Sequence, residues 1–180
     1  MADDPIKLEL NDKEIFDVLD SLAKKVKDLK TIMRKISHVM KSDIEENFET
    51  EGVNNTGEKW QEWSENWKKK RLKMGKTAGI LTLEGDLRKS LTRKATASSA
   101  LVGTNKEYAA IHNFGGPVKK RVGKNQQKGA NGTFDMPQRE FASFHDGLKT
   151  KILAEVVYEL HIQDYLKEEA AKLKRLKGDA

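Results

Sequence analysis

Apolar residues recur near the start of the chain at Ile15, Leu19, Leu22, Val26, Leu29, Met33, Ile36 and Met40, in alternating steps of four and three. That spacing puts them on one side of an α-helix with a 3.5-residue period. Phe16, Val18, Ile32 and Val39 widen the stripe, which suits packing against a broad surface better than one narrow two-stranded seam. The pattern breaks at Asp43 and moves to Ile44 and Phe48, so one long helix is predicted over 13–47, ended by Glu51-Gly52 and Asn54-Asn55. Residues 1–12 are expected to be a disordered N-terminus.

Trp60, Trp63 and Trp67 are three and four residues apart, the spacing of one side of a helical turn. Lys68-Lys69-Lys70-Arg71 and Lys73 follow, and Gly75 terminates what reads as a short helix or irregular arm. Ile80, Leu81, Leu83, Leu87 and Leu91 predict another short helix, with Gly85 allowing close packing. Residues 92–103 are rich in Thr, Ser, Ala and Val around Ser98-Ser99, as in a hairpin of two short strands. Segment 115–135 is glycine-rich and basic, a long flexible loop whose flanks are expected to supply a third and fourth strand. From Phe141 the positions Phe144, Leu148, Ile152, Val156 and Leu160 predict an amphipathic helix that continues as a charged tail over 141–178.

The resulting expectation is one α+β domain over 1–180, with an α+β core at 48–145. Long N-terminal and C-terminal helices pack on a small antiparallel β-sheet. Such helices present more apolar face than one small sheet covers, which predicts a homo-oligomer. Leu19, Val26, Met33 and Met40, with the three tryptophans, are the candidate anchors of an oligomer or partner interface, because tryptophan buries a large apolar area.

Composition refines this picture. The hydrophobic fraction is 37% and the charged fraction 34%, against usual values of roughly 45–50% and about 25%. Long helices with solvated faces fit that balance. No cysteine is present, so disulfides and thiolate metal sites are excluded. No stretch approaches the ~18 apolar residues of a membrane span, and the acidic Met1-Ala2-Asp3-Asp4-Pro5 lacks the apolar segment of a secretion signal. The formal net charge is +6. Most lysines are interleaved with acids; Lys119, Lys120, Arg121, Lys124 and Lys128 are not, which makes their segment the candidate basic surface toward DNA or a protein partner.

The most specific stretch is Tyr108-Ala109-Ala110-Ile111-His112-Asn113-Phe114-Gly115-Gly116, followed by Met136-Pro137-Gln138-Arg139-Glu140-Phe141. Thr104-Asn105-Lys106-Glu107 fits a capping box, which predicts a helix starting near Asn105. Gly115-Gly116-Pro117 would stop it. Tyr108, Ile111 and either His112 or Phe114 are spaced to share its packed face. Pro137 suggests an entry turn into the C-terminal helix. The two halves resemble the YA-x-IH-x-FGG and MP-x-R-x-F signature of the phage virion morphogenesis family, the small tail-completion proteins of tailed bacteriophages. Phe48, Gly52, Trp60, Ile80-Leu81, Gly85-Asp86-Leu87, Ser90 and Val102-Gly103-Thr104 fall in the family's order, extending the likeness to residues 44–145. Tyr108, His112, Phe114, Gly115, Gly116, Pro137, Arg139 and Phe141 form the structural signature. Glu140 departs from it, since many members carry a second proline there. Val118–Gly132 matches nothing specific.

Catalytic chemistry has little to build on. None of His38, His112, His145 and His161 has a metal-ligand spacing, and no nucleophile, P-loop or dinucleotide motif occurs. No catalytic residue, metal or cofactor is expected. The resemblance implies a structural virion component in tail completion and head-tail joining, assembled in the bacterial host cytoplasm. It further implies a ring, with a hexamer as the starting expectation, and tail tube, terminator and head-connector proteins as partners. Non-specific contact with DNA passing the lumen would fall to the basic loop. Two other readings are a sequence-independent DNA-binding protein using that loop and the Trp arm, and a hydrolase or nuclease centred on His112.

Overall fold

The computed structural model describes residues 7–9, 13, 29–75, 79–119 and 132–178. In chain order the elements are β1 (Lys7–Glu9), α1 (Leu29–Glu49), α2 (Val53–Thr56), α3 (Glu65–Lys73), α4 (Asp86–Lys89), β2 (Thr92–Ala95), β3 (Ala100–Gly103), α5 (Ala109–Phe114), β4 (Gly116–Lys119), β5 (Thr133–Met136) and α6 (Asp146–Gly178). The fold is α+β. Strand β1 lies where a disordered N-terminus is expected. The chain divides into two compact units, one comprising Met1–Leu8, Ser42–Thr92 and Gly103–Ser143, the other Glu9–Lys41, Arg93–Val102 and Phe144–Ala180.

In the second unit, Ile32, Met33, Ile36 and Met40 of α1 are buried together with Leu148, Ile152 and Val156 of α6 and Ala100 and Val102 of β3. Steps of four bring the α6 residues onto one face. Lys35 bonds the carboxylate of Glu159, which is 4% exposed, and lies 3.7 Å from Glu155. The turn between β2 and β3 is closed by Thr96 N–H donating to the Ser99 carbonyl at 2.9 Å.

In the first unit the stripe of α1 continues through Asp43, Ile44, Asn47 and Phe48, all buried. The apolar positions move at Asp43 to Ile44 and Phe48 as expected, and the buried Asp43 accepts from the Asn54 side-chain amide through its carboxylate at 3.1 Å and its carbonyl at 3.3 Å. After α1 the backbone reverses through Glu51 at φ 54 and Gly52 at φ 105. A Cβ on Gly52 would stand 2.5 Å from the Trp60 indole, so glycine is required by both conformation and space. Phe48 meets Trp60 edge-on at 5.8 Å and stacks on Phe141 at 5.3 Å, an aromatic cluster at the centre of this unit. Antiparallel β4 and β5 pair Gly116 with Met136 and Lys119 with Thr133, bearing out the strands expected beside the basic loop.

Several boundaries differ from the sequence reading. Trp60 and Trp63 lie in an irregular segment ahead of α3, so the three tryptophans do not share a helix face. Ile80 to Leu83 lie outside α4, whose preceding Gly85 serves through its φ of 72; a Cβ there would make only ordinary contact with Lys89. The Thr104 hydroxyl accepts from Lys106 N–H at 3.2 Å, a local turn instead of a helix cap, and α5 starts four residues later than expected. The C-terminal helix begins at Asp146 and not at Phe141. Leu19, Val26 and the remainder of 14–28, and Lys120, Arg121, Lys124 and Lys128, lie outside the described residues.

Candidate functional site

The two halves of the signature meet in a knot of side chain to backbone bonds. Asn113, 1% exposed, accepts from the N–H groups of Phe141 at 3.0 Å and Ala142 at 2.9 Å through Oδ1, and donates to the Ala142 carbonyl at 3.2 Å. These bonds tie the backbone of 141–142 to α5, and the helix expected there starts later, at Asp146. Arg139 N–H donates to the His112 carbonyl at 2.7 Å. The Arg139 guanidinium turns the other way, giving Nε–H to the Gln61 carbonyl at 3.0 Å and Nη2–H to the Glu62 carbonyl at 3.4 Å. Between these, the Glu140 carbonyl accepts from Asn47 at 2.9 Å, Asn55 at 3.1 Å and the Trp60 indole at 3.3 Å. At Gly115, φ is 69 and a Cβ would lie 2.8 Å from the Gln138 nitrogen, so the close approach of the halves excludes a side chain.

This knot shapes one wall of a groove of about 1010 Å³, entirely within the first unit. Trp63, Trp67, Lys68 and Arg71 line it from the Trp arm; Leu81, Leu83, Glu84, Asp86 and Leu87 from around α4; Tyr108 and His112 from α5; and Phe134 to Pro137 and Arg139 from the β5 side. The buried Arg71 guanidinium stacks 3.8 Å over the Trp63 ring, and Lys70 stands 5.2 Å over Trp67. Lys68 pairs with Glu65 at 3.1 Å and Glu62 at 3.5 Å, and the hydrogen bond with Glu65 raises its pKa. Leu81 adopts φ 60, uncommon for a branched side chain.

His112 stands edge-on to Tyr108 at 6.0 Å, and its Nδ1 is buried without a hydrogen-bond partner among the described residues. Burial, and then the Arg139 charge, lower its pKa. Among the described residues no three His, Asp or Glu converge to hold a metal ion. Tyr108 and Phe114 are exposed; the inward face of α5 is Ala109 and Asn113. Asn113 was missed as a site residue because a polar side chain on a short helix carries no periodic signal. Trp60, Met33 and Met40 are buried within the chain, which removes them as interface anchors. Pro137 and Arg139 come together with His112, and Phe141 meets the neighbouring Asn113. Lys119 is exposed at the end of β4.

The model of the phage virion morphogenesis family matches residues 10–161. The chain belongs to that family. It is 39% identical over 99 residues to protein G of Escherichia phage Mu, whose name assigns it, provisionally, to capsid assembly. It is 34% identical over 112 residues to the Mu-like prophage FluMu G protein 2 of Haemophilus influenzae, and 36% over 92 residues to FluMu G protein 1 of the same organism. These alignments cover 54%, 62% and 50% of the chain and 63%, 71% and 62% of those relatives. No solved structure matches. Within this virion morphogenesis protein the side chains of Asn113 and Arg139 are engaged with backbone, and the groove lies beside them.

Proposed function

We propose that this virion morphogenesis protein is a structural component of tail completion and head-tail joining, acting as a ring at the tail terminus or neck. The observation that carries the reading is the use of Asn113 and Arg139, which bond the backbones of 141–142 and 61–62 and thereby hold an aromatic groove in shape. A rigid concave surface built this way suits docking to another protein, and turnover needs no part in it. Its partners would be further copies of the chain and the tail and head-connector proteins. The DNA-binding reading is weakened: Trp60 is buried, and one face each of Trp63 and Trp67 is covered by Arg71 and Lys70, leaving less aromatic surface for bases.

A second reading, capsid assembly, is favoured by the name of the phage Mu relative. Deleting the gene from its phage or prophage and imaging induced lysates by electron microscopy separates the two. Tail completion predicts normal filled heads beside unattached tails of aberrant or open ends, restored by the gene in trans. Missing or malformed heads with finished tails would overturn it in favour of capsid assembly.

A further inference from the structure

Helix α3 carries five cations, Lys68, Lys69, Lys70, Arg71 and Lys73, against one acid, Glu65. They divide by side. Trp67, Lys68 and Arg71 line the groove, where Lys68 is paired with Glu62 and Glu65 and the buried Arg71 lies over Trp63. Lys69, Lys70 and Lys73 are exposed and take no part in that lining. At 3.6 residues per turn they point, on average, about 160° away from Trp67, Lys68 and Arg71, which is the far side of the helix. Lys69 and Lys73 make no ion pair among the described residues, and Leu72 at the border of this basic strip is 73% exposed.

The groove has the opposite character. Five carboxylates line it, Glu62, Glu65, Glu84, Asp86 and Asp135, against three cations, Lys68, Arg71 and Arg139, so the lining is negative by two while the whole chain is +6. Asp86 and Asp135 make no ion pair among the described residues, and Tyr108 and Phe134 open their rings to solvent in the same lining, at 43% and 42% exposure. Carboxylates among open aromatic faces attract lysine through charge and through the ring quadrupole, and the lysine stem covers apolar surface on the way in.

Opposite sides of one helix cannot meet within one chain. The far side of α3 is therefore unable to seat in the groove that its own near side walls, and a second copy is needed to bring the two surfaces together. Contact between two different patches is heterologous, and such head-to-tail contacts generate rings when the rotation between copies closes. We infer that Lys69, Lys70 and Lys73 on the far side of α3 dock into the acidic aromatic groove of the next copy. This rests on the ring reading above and names its contact.

The test uses the full-length protein with charge reversed on either side: Lys69→Glu with Lys73→Glu on α3, and Asp86→Lys with Asp135→Lys in the groove. Circular dichroism checks folding, and where a reversal unfolds the chain, Gln at the lysines and Asn at the aspartates take its place. Sedimentation velocity over a range of concentrations reads association. Each reversal alone sets like charges against each other and should lower the association constant about tenfold or more, the loss shrinking as salt rises. An equimolar mixture of the two, and a chain carrying all four changes, should regain the wild-type value, since an acidic α3 then faces a basic groove. The neutral variants should lose less and form a heterodimer on mixing, through one intact groove and one intact lysine face. Carbodiimide coupling of mixed isotopically light and heavy wild-type protein should join Lys69, Lys70 or Lys73 to Asp86 or Asp135 between chains.

A wild type that stays monomeric at all concentrations, association that ignores either reversal, or no recovery on mixing overturns the inference. So do cross-links between these residues that are confined to single chains. Duplex DNA retarded by the wild type and not by the α3 variant, with the groove variant associating normally, would assign the lysine face to nucleic acid instead. Rings that persist through both reversals remove this contact and leave the ring reading standing, and the deletion experiment decides tail completion independently in every case.

Discussion

Replacing Asn113 by Ala should remove the side-chain bonds that tie the two signature halves together, leaving the backbone bond from Arg139 to His112. Three hydrogen bonds are lost, two accepted from Phe141 and Ala142 and one donated to Ala142, at a side chain only 1% exposed. At about 1 kcal/mol net per bond the loss is about 3 kcal/mol, and more if the freed backbone groups stay dry, since each orphan costs roughly 1–3 kcal/mol. For a chain of this size about 3 kcal/mol lowers Tm by roughly 6–12 °C. Asn47 is the internal control. It is equally buried, but it gives one of three bonds to the Glu140 carbonyl, and its own Oδ1 has no partner among the described residues. Asn47→Ala leaves that carbonyl satisfied by Asn55 and Trp60 and should cost about 1 kcal/mol. Urea unfolding followed by tryptophan fluorescence, with Trp60 beside the knot as reporter, measures both. Equal losses in the two variants, or a loss below about 1 kcal/mol for Asn113→Ala, would refute the claim that bond accounting at Asn113 holds the halves together.

Gly115→Ala should destabilise by about 2–4 kcal/mol, because the left-handed φ and a Cβ 2.8 Å from backbone nitrogen add strain to overlap; thermal unfolding reads this, and a neutral result would mean that the 136–138 backbone yields. His112 has a folded pKa below its unfolded value, so its contribution to stability is present above the unfolded pKa and is lost as pH falls from there through the folded pKa. The Tm decrease on acidification below about pH 6.5 should therefore be smaller in His112→Gln, and an identical pH profile would exclude His112 as its source. Glu159→Ala should cost only about 1 kcal/mol in chemical denaturation, since Lys35 is two-fifths exposed and keeps Glu155 at 3.7 Å; a loss of 3 kcal/mol or more would indicate a fully desolvated pair.

The period of the α1 stripe, the 92–103 hairpin, the glycine stop at 115 and the family itself were all legible in the chain, because each depends on neighbours a few residues apart. Spacing failed where long-range bonds compete with local propensity. The tryptophans looked like one helical face until Trp60 was held by Glu51 and Glu140, 9 and 80 residues away, and Thr104 looked like a helix cap although its hydroxyl pairs with Ser90. Phe141 looked like a helix start because its aromatic spacing continues into α6, yet its N–H is taken by Asn113, 28 residues upstream.

The same division applies to the groove. Local sequence supplied its aromatic and acidic residues, but they are scattered between positions 61 and 139. Periodicity is a property of adjacent turns and strands, so it identified the elements, the α+β class and the signature. Only tertiary structure turned that signature into a clamp, buried Trp60, Met33 and Met40 among the residues first taken for interface anchors, and gathered five separated carboxylates onto the walls of one cavity, because which side chain meets which backbone group is decided by closure of the whole chain.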